Sequence, residues 1–378
     1  PPGAFRRPAR RIPTTRPPGH ARTARVHACA TGCSDGPVTA AADPAGPSRD
    51  GHAGAAVTAT FCATIVDEWV RAGMTDAVVS PGSRSTPMAL ALAARPELQV
   101  HVQIDERSAG FTALGLGLAS GRAAVVLTTS GTAAVELHPA VVEAHQAGVP
   151  MLVITANRPP ELQDVGAPQT VDQVHLYGAS VRWFCAPGPP EEATRSTWRS
   201  FAARAVVETV EAPAGPGPVH LDLAFREPLV GEPGPLPEGR DGGAPWHTAG
   251  GRRLAVDRAG TERLTELLDA DHGVIVAGEG AGSTRAVLAL AEATGWPVLA
   301  DPRSGCRIGH PLVIAHADAL LRDDALALEL QPEVVLRLGA PPASKVLGAW
   351  LAASTARQVG VDAHGRWFDA DRTAHHVL

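Results

Sequence analysis

Three polar loops carry the residue types that bind small anions. They read SPGSRSTP (80–87), TTSGTAAVE (128–136) and TANRPPELQDVGAPQT (155–170), and each follows an apolar run. An arginine guanidinium can hold a carboxylate or phosphate through two parallel hydrogen bonds, and a glycine relieves crowding of the backbone. The candidate binding residues in these loops are Ser83, Arg84, Ser130, Gly131, Thr132, Arg158 and Gln169.

A local structural role is the alternative for the hydroxyl residues of the first loop. Ser83, Ser85 and Thr86 suit N-capping of a helix that is predicted to begin near Pro87. Capping does not account for Arg84, whose charge remains available for a ligand.

A pair of acids stands where a strand pattern turns into a helix pattern, in HVQIDERSAGFTALGLGLASG (101–121). In the structural interpretation, Asp105 caps the helix and Glu106 is a first-turn carboxylate that the helix dipole favours. In the functional interpretation, Glu106 points into a crevice and shares a proton with a bound heterocycle. The sequence pattern alone leaves both interpretations open.

The elements around these loops alternate between short apolar strands and helices from about Val57 to the strand pattern GPVHLDL (217–223). This order predicts an α/β fold with a doubly wound parallel sheet that is covered on both faces. The carboxyl ends of parallel strands share one edge of the sheet, and ligands of such sheets bind there. We therefore expect the three polar loops and Glu106 to line one crevice.

A second alternating set begins with GVIVAGEG and ends with RQVGVD, which predicts a second, Rossmann-like α/β domain. Its GEGAGS segment (278–283) lacks the G-x-G-x-x-G spacing, so a tight turn and a phosphate site are both open. The predicted organisation is a disordered Pro- and Arg-rich leader at 1–52, a first α/β domain at 53–225, a linker at 226–252 and a second α/β domain at 253–378.

Composition excludes several classes of function. The net charge of −6 gives no case for nucleic acid, and no apolar run approaches the roughly 20 residues of a membrane span. The five cysteines form neither a disulfide framework nor a pattern of metal ligands, so we predict no metal site in this chain and a reducing, cytoplasmic location. Lys345 is the single lysine of the chain.

The motifs together resemble one enzyme family. VVSPGSRSTPMALAL (78–92), HVQIDERSAGFTALGLGLASG and LTTSGTAAVELHPAVVEAHQAGVPMLVITANRPPELQDVGAPQTVDQ (127–173) are similar to the 2-succinyl-5-enolpyruvyl-6-hydroxy-3-cyclohexene-1-carboxylate synthases. These are thiamine-diphosphate enzymes of menaquinone biosynthesis. The resemblance implies a thiamine-diphosphate-binding fold whose first domain is the pyrimidine-binding domain. It implies decarboxylation of 2-oxoglutarate and addition of the succinyl unit to isochorismate.

Residue roles follow from this resemblance. The family glutamate that matches Glu106 hydrogen-bonds the aminopyrimidine ring of the cofactor, and Pro81, Ser130, Gly131 and Thr132 match further cofactor-binding positions. The positions that hold isochorismate in the family match Ser83, Arg84, Arg158 and Gln169, and Lys345 matches a lysine of the central domain that reaches the substrate carboxylates. Some relatives have asparagine where this chain has Glu136 and Pro168, so the resemblance leaves open any polar contact at those two positions.

The resemblance also sets expectations for the assembly. The family binds its diphosphate and Mg2+ or Mn2+ through a third domain with a Gly-Asp-Gly motif, and no GDG occurs in this sequence. We therefore expect the chain alone to be an inactive N-terminal and central fragment of an enzyme that forms homodimers or homotetramers. The alternatives are another thiamine-diphosphate carboligase or decarboxylase, such as an acetolactate synthase relative, and a non-catalytic ligand-binding module.

Overall fold

The structure, a computed structural model, describes residues 49–250 and 255–378. Of the leader predicted at 1–52, residues 1–48 lie outside this part of the chain. The first helix begins at Arg49, inside the predicted leader. The described chain forms two parallel sheets, each flanked by helices, as the fold class prediction requires.

The first sheet has six parallel strands in the order β2-β1-β3-β4-β6-β5. Its strands are β1 (Asp76–Val79), β2 (Gln99–Val102), β3 (Ala124–Thr128), β4 (Met151–Asn157), β5 (Trp183–Cys185) and β6 (Pro218–Ala224). All residues of β3, β4 and β6 are buried, as expected of central parallel strands that are covered on both faces.

Helices cover both faces of this sheet. They are α1 (Arg49–Arg71), α2 (Thr86–Ala93), α3 (Glu106–Ser120), α4 (Thr132–Glu136), α5 (His138–Ala147) and α6 (Trp198–Glu211). One apolar core packs α1, α2 and α6 against the sheet around the fully buried Trp69. The other core packs α3 and α5 against the opposite face, with Ala109 and Ala113 allowing close approach of α3. Helices therefore cover both faces of the sheet, so a ligand can approach it at the ends of the strands.

The second sheet has five parallel strands in the order β11-β10-β9-β7-β8. Its strands are β7 (Gly273–Ala277), β8 (Val298–Ala300), β9 (Val334–Leu338), β10 (Arg357–Val361) and β11 (Ala374–Val377). Its helices are α7 (Arg258–Leu267), α8 (Thr284–Thr294), α9 (Ala317–Leu320), α10 (Asp324–Glu329) and α11 (Lys345–Ala353). The GEGAGS loop after β7 packs on the loop after β9, where Ala340 N donates to Glu279 O at 2.8 Å. This contact agrees with the tight-turn interpretation of its glycines.

The segment between β6 and α7 packs against the first domain. Gly234 N donates to the Thr60 hydroxyl at 2.8 Å, and the guanidinium of Arg199 donates to Pro237 O at 2.9 Å. The backbone N–H of Trp246 donates to the carboxylate of Glu68, which is fully buried in α1. No helix of the described residues is both long and apolar enough to cross a bilayer.

Candidate active site

The carboxyl edge of the first sheet brings the predicted loops into contact. The loop after β1 leaves the sheet beside β3, where Ser80 N donates to Leu127 O at 2.8 Å. A Cβ at Gly82 would fall 2.5 Å from the Cβ of Thr129, so a larger residue at position 82 would push the two loops apart. The strand ends therefore place the loops at 80–87 and 128–136 side by side, as the alternation of strands and helices predicted.

The loop at 155–170 contacts the loop at 128–136 through Arg158 and Gln169. The Arg158 guanidinium donates from Nη1 to the Gln169 carbonyl at 3.0 Å and also to the hydroxyl of Ser130. That hydroxyl in turn donates to the Gln169 carbonyl at 3.0 Å. Four residues that the sequence nominated separately, Ser130, Gly131, Arg158 and Gln169, therefore form one contact cluster. Only one nitrogen of Arg158 is used in these bonds.

The backbone at Gly131 is held by residues that the sequence did not nominate. Gly131 has φ 84°, a left-handed conformation that favours glycine, and its N–H donates to Gln173 Oε1 at 3.0 Å. Gln173 is fully buried, and its Nε2 donates to Asp222 Oδ1 at 2.7 Å. No sequence motif marks Gln173 or Asp222, because their role depends on the position of β6 beside β4.

Asp222 is the centre of a buried polar network. It also accepts from the Thr155 hydroxyl at 2.8 Å and from Asn157 Nδ2 at 2.7 Å. Burial raises the pKa of this carboxyl above its usual range, although hydrogen bonds from Asn157, Thr155 and Gln173 oppose that change. The network joins β4, β6 and the Gly131 turn, so it fixes the geometry of the edge.

Arg84 is buried in the crevice and already has partners. Its side chain is 7% exposed; Nη1 donates to Phe225 O at 2.9 Å, and Nη2 donates to Glu227 Oε1 at 3.0 Å. Its Nε is buried without a hydrogen-bond partner in the described residues. Phe225 N donates to Asn157 O at 3.1 Å, so the Phe225 carbonyl that Arg84 holds lies beside the strand end that Arg158 follows. Burial and the positive charge of Arg84 lower the pKa of Arg158. The pair is what the sequence predicted, whereas its carboxylate partner Glu227 is new.

The two acids at the start of α3 differ in their hydrogen bonds: Asp105 caps the helix, whereas Glu106 has no donor among the described residues. Asp105 is the N-cap, and its carboxylate accepts from Arg107 N at 3.0 Å and from Ser108 N at 3.4 Å. A side-chain hydrogen bond from Arg107 lowers the pKa of Asp105 to about 2. Glu106 is the first helical residue and is half-buried, and no described residue donates a hydrogen bond to its carboxylate. The capping role of Asp105 is confirmed, and the carboxylate oxygens of Glu106 remain able to accept hydrogen bonds from a ligand.

The remaining predicted site residues are exposed. Pro81 and Ser83 lie in the turn after β1, and Thr132 is the first residue of α4. Lys345 is the first residue of α11, beyond β9 in the second sheet. Within residues 49–250 and 255–378, no hydrogen bond or ion pair joins Lys345 to the loops of the first sheet.

Unpaired polar atoms mark the same edge. Of the six buried side-chain atoms without a partner in the described chain, three lie here, on Ser80, Arg84 and Thr128. Buried polar groups are normally hydrogen-bonded, so such a concentration is typical of a site that a ligand or water completes. A cleft of about 830 Å³ opens at the ends of β4 and β6, lined among others by Asn157, Arg158 and Asp222. Its volume is in the range of small-molecule sites.

No group of residues that could hold a metal ion occurs in the described part of the chain.

Two family models match this chain. Residues 60–176 match the family described as thiamine pyrophosphate enzyme, N-terminal TPP binding domain. Residues 243–377 match the family described as middle domain of thiamine pyrophosphate. The first match contains the loops after β1, β3 and β4 together with Glu106, and the second contains the whole second sheet.

Three curated relatives, each named 2-succinyl-5-enolpyruvyl-6-hydroxy-3-cyclohexene-1-carboxylate synthase, show how similar the chain is to that enzyme. The chain is 46% identical to that of Geobacillus kaustophilus over an alignment of 326 residues that covers 83% of this chain and 56% of the relative. It is 42% identical to that of Bacillus velezensis over 329 residues, 84% of this chain and 56% of the relative. For the Haloarcula marismortui protein, the identity is 41% over 350 residues, 85% of this chain and 58% of the relative.

The chain thus spans somewhat more than half the length of the curated relatives it matches. The two matched domains agree with the two parallel sheets, and the matched motifs lie at the crevice of the first sheet. The chain therefore belongs to the thiamine pyrophosphate enzymes, of which it carries the N-terminal and middle domains, and it is similar to the 2-succinyl-5-enolpyruvyl-6-hydroxy-3-cyclohexene-1-carboxylate synthases.

Proposed function

We propose that this chain supplies the pyrimidine-binding and central domains of a 2-succinyl-5-enolpyruvyl-6-hydroxy-3-cyclohexene-1-carboxylate synthase. The complete enzyme decarboxylates 2-oxoglutarate and adds the succinyl unit to isochorismate. The observation that carries this proposal beyond the family is that Arg84, bound to the Phe225 carbonyl after β6, and Arg158, directly after β4, lie at the ends of two paired strands of the first sheet. A substrate rich in carboxylates explains two guanidinium groups in one crevice, whereas the substrate of an acetolactate synthase relative does not.

The residues present fit thiamine diphosphate. When bound, this cofactor supplies the electron sink for decarboxylation of a 2-oxo acid. Glu106 is suited to hold its aminopyrimidine ring, because the half-buried carboxylate accepts no hydrogen bond from a described residue. The other proposed contacts are Pro81, Ser130, Gly131 and Thr132. Gly131 has a positive φ, which favours glycine, and it places no Cβ in that loop. Mg2+ or Mn2+ would accompany the diphosphate group.

The substrate side of the crevice is assigned to Ser83, Arg84, Arg158, Gln169 and Lys345. Arg84 and Arg158 supply positive charge within a partly dry site, where attraction to a carboxylate exceeds that in bulk water. Arg158 and Ser130 both donate to the backbone carbonyl of Gln169, so the main chain of Gln169 is held beside them. Lys345 belongs to the second sheet, and its assignment rests on its match to the family position.

An assay of the full-length protein tests this function. With thiamine diphosphate and Mg2+, we expect release of CO2 from 2-oxoglutarate that depends on isochorismate, together with loss of isochorismate. Pyruvate replaces 2-oxoglutarate in a parallel reaction. Consumption of pyruvate without any need for isochorismate would instead support an acetolactate synthase relative.

The remaining assignments of location, assembly and boundaries belong to the same proposal. We assign the enzyme to the cytoplasm as a homodimer or homotetramer, with no nucleic acid partner. The first domain is placed at 53–225, the linker at 226–252 and the central domain at 253–378. Size-exclusion chromatography with light scattering tests the assembly, and limited proteolysis followed by mass spectrometry tests the boundaries.

A further inference from the structure

The carboxylate of Glu227 lies on the buried guanidinium of Arg84. The two side chains meet at 3.0 Å, yet Arg84 is 7% exposed and Glu227 is 72% exposed. On its other side Arg84 donates to the carbonyl of Phe225, which is itself buried. The solvent side of Arg84 is therefore the side that Glu227 occupies.

Glu227 also acts on Arg158. Burial and Arg84 lower the pKa of the Arg158 guanidinium, whereas the negative charge of Glu227 opposes this change. The Glu227 carboxylate thus contacts Arg84, and the side chains of Arg84, Arg158 and Glu227 together carry a net charge of +1 rather than +2. An anion that approaches Arg84 meets this carboxylate first.

We propose that Glu227 is a specificity-determining residue that occupies the anion position on Arg84 until a ligand carboxylate replaces it. This inference rests on the assignment of Arg84 to substrate binding. A resident carboxylate lowers the affinity of the crevice for simple anions, because each of them must displace or share the ion pair. A substrate with several carboxylates overcomes this competition by reaching Arg158 as well.

The opposite role makes a different prediction. If Glu227 only orients Arg84, removal of its charge loosens the guanidinium and weakens anion binding. In Glu227→Gln the amide oxygen can still accept the hydrogen bond from Nη2, while the negative charge is gone. The sign of the change in anion affinity therefore separates competition from orientation.

The test is isothermal titration calorimetry of this chain at low ionic strength, with sulfate and with isochorismate as the two probes. We expect Glu227→Gln to bind sulfate about fivefold more tightly than the wild type, as for loss of one repulsive charge near a partly buried site, and to bind isochorismate more tightly by a smaller factor, because Arg158 also holds that substrate. Glu161→Gln is the matched control, because its ion pair with Arg226 at 2.6 Å is exposed on both sides and adjoins Glu227 in the chain. This control should bind both probes like the wild type.

A double variant restricts the effect to Arg84. The gain from Glu227→Gln should disappear in an Arg84→Ala background, and circular dichroism and thermal unfolding establish that each variant is folded. Unchanged or weaker binding of sulfate by Glu227→Gln would overturn the inference. So would a lack of sulfate binding by both the wild type and this variant.

The two probes keep this inference separate from the proposed enzyme. Tighter sulfate binding by Glu227→Gln, without isochorismate binding by any variant, would sustain the role of Glu227 and contradict the substrate assignment. Isochorismate binding by the wild type that is equal or weaker in Glu227→Gln would sustain the substrate assignment and overturn the role of Glu227.

Discussion

Two arginines that look alike in the sequence differ in their surroundings. Arg84 is buried against the end of β6 and pairs with Glu227, whereas Arg158 is half-buried and uses one nitrogen to hold Ser130 and Gln169. Because Arg84 bonds the carbonyl after β6 and Arg158 follows the paired strand β4, positive charge is concentrated at the ends of these strands. This arrangement suits capture of a carboxylate, so substitutions here should affect substrate binding more than chemistry.

Arg84→Ala should mainly weaken capture of isochorismate. We expect the KM for isochorismate to rise about 10- to 100-fold in the complete enzyme, as for loss of a hydrogen bond to a charged group, with a smaller change in kcat. Steady-state kinetics with isochorismate as the varied substrate measures this. Arg226→Ala is the control, because Arg226 is exposed and pairs with Glu161. An unchanged KM with normal turnover would assign Arg84 to a structural role.

Glu106→Gln should lower turnover instead. Loss of a positioned acid or base group typically costs 100-fold or more, and we expect a fall of that order in kcat of the complete enzyme. Single-turnover release of CO2 from 2-oxoglutarate is the measurement. Glu136→Gln offers a matched control, since Glu136 is an exposed carboxylate on α4 that lies 3.8 Å from Arg107. A near-normal rate for Glu106→Gln would refute the role proposed for this residue.

The sequence was informative about residues that follow a strand. Ser83, Arg84, Ser130, Gly131 and Arg158 could be placed at one edge, because parallel strands end together. The partner of Arg84 could not be predicted, since Glu227 is 143 residues away and lies in a segment that reads as a linker. Gln173 and Asp222 were missed for the same reason, as their hydrogen bonds depend on the register between β4 and β6.

At the level of elements, β4 and β6 share a histidine that cannot readily become charged. His220 on β6 is fully buried, and its Nε2 lies 2.8 Å from the Thr155 hydroxyl of β4. That hydroxyl donates to Asp222, so its oxygen accepts a hydrogen bond from the Nε2–H of neutral His220. Burial, with a smaller effect of His175, lowers the pKa of His220 to about 3. The folded protein thus binds this proton less readily than the unfolded chain.

His220 should make the protein less stable in weak acid. Because the pKa is lower in the folded state than the unfolded value near 6.5, its contribution is complete above pH 6.5 and is lost as the pH falls toward 3. The slope from this group is at most about 1.4 kcal/mol per pH unit. Urea unfolding at pH 7, 6 and 5 measures it. His220→Gln should reduce the pH dependence, whereas His247→Gln, an exposed control, should retain it. Equal pH dependence in all three proteins would contradict the assignment.

Elements with a strong pattern were the predictable ones. The buried strands of the first sheet and the helices between them follow from apolar runs and their spacing. The break between α4 and α5 also follows, because Pro139 suits the first turn of a helix and not its interior. β11 was not predicted, since AHHV has no strand periodicity and becomes a strand only by pairing with β10.

At the scale of the whole molecule, the segment after β6 is attached to the first domain through buried charges. Glu68 of α1 is fully buried, accepts from Trp246 N and lies 2.9 Å from Arg199 on α6. Arg199 also contacts Asp67 at 2.7 Å. Burial alone would raise the pKa of Asp67, but hydrogen bonds from Arg95, Arg199 and Arg71 lower it to about 2. Pro- and Gly-rich composition predicted a linker here and could not indicate these contacts.

Glu68→Ala should therefore release the segment and destabilise the first domain. Removing one partner of a buried ion pair leaves Arg199 less compensated, and we expect the free energy of unfolding to fall by about 3 kcal/mol. Loss of the bond from Trp246 N should also speed proteolysis between residues 226 and 257. Glu68→Gln keeps an acceptor for that N–H, so it should destabilise the domain with less added cleavage. Glu262→Ala, which breaks the exposed pair with Arg258, is the control and should change neither quantity. Cleavage of Glu68→Ala at the wild-type rate would mean that the segment is held without Glu68.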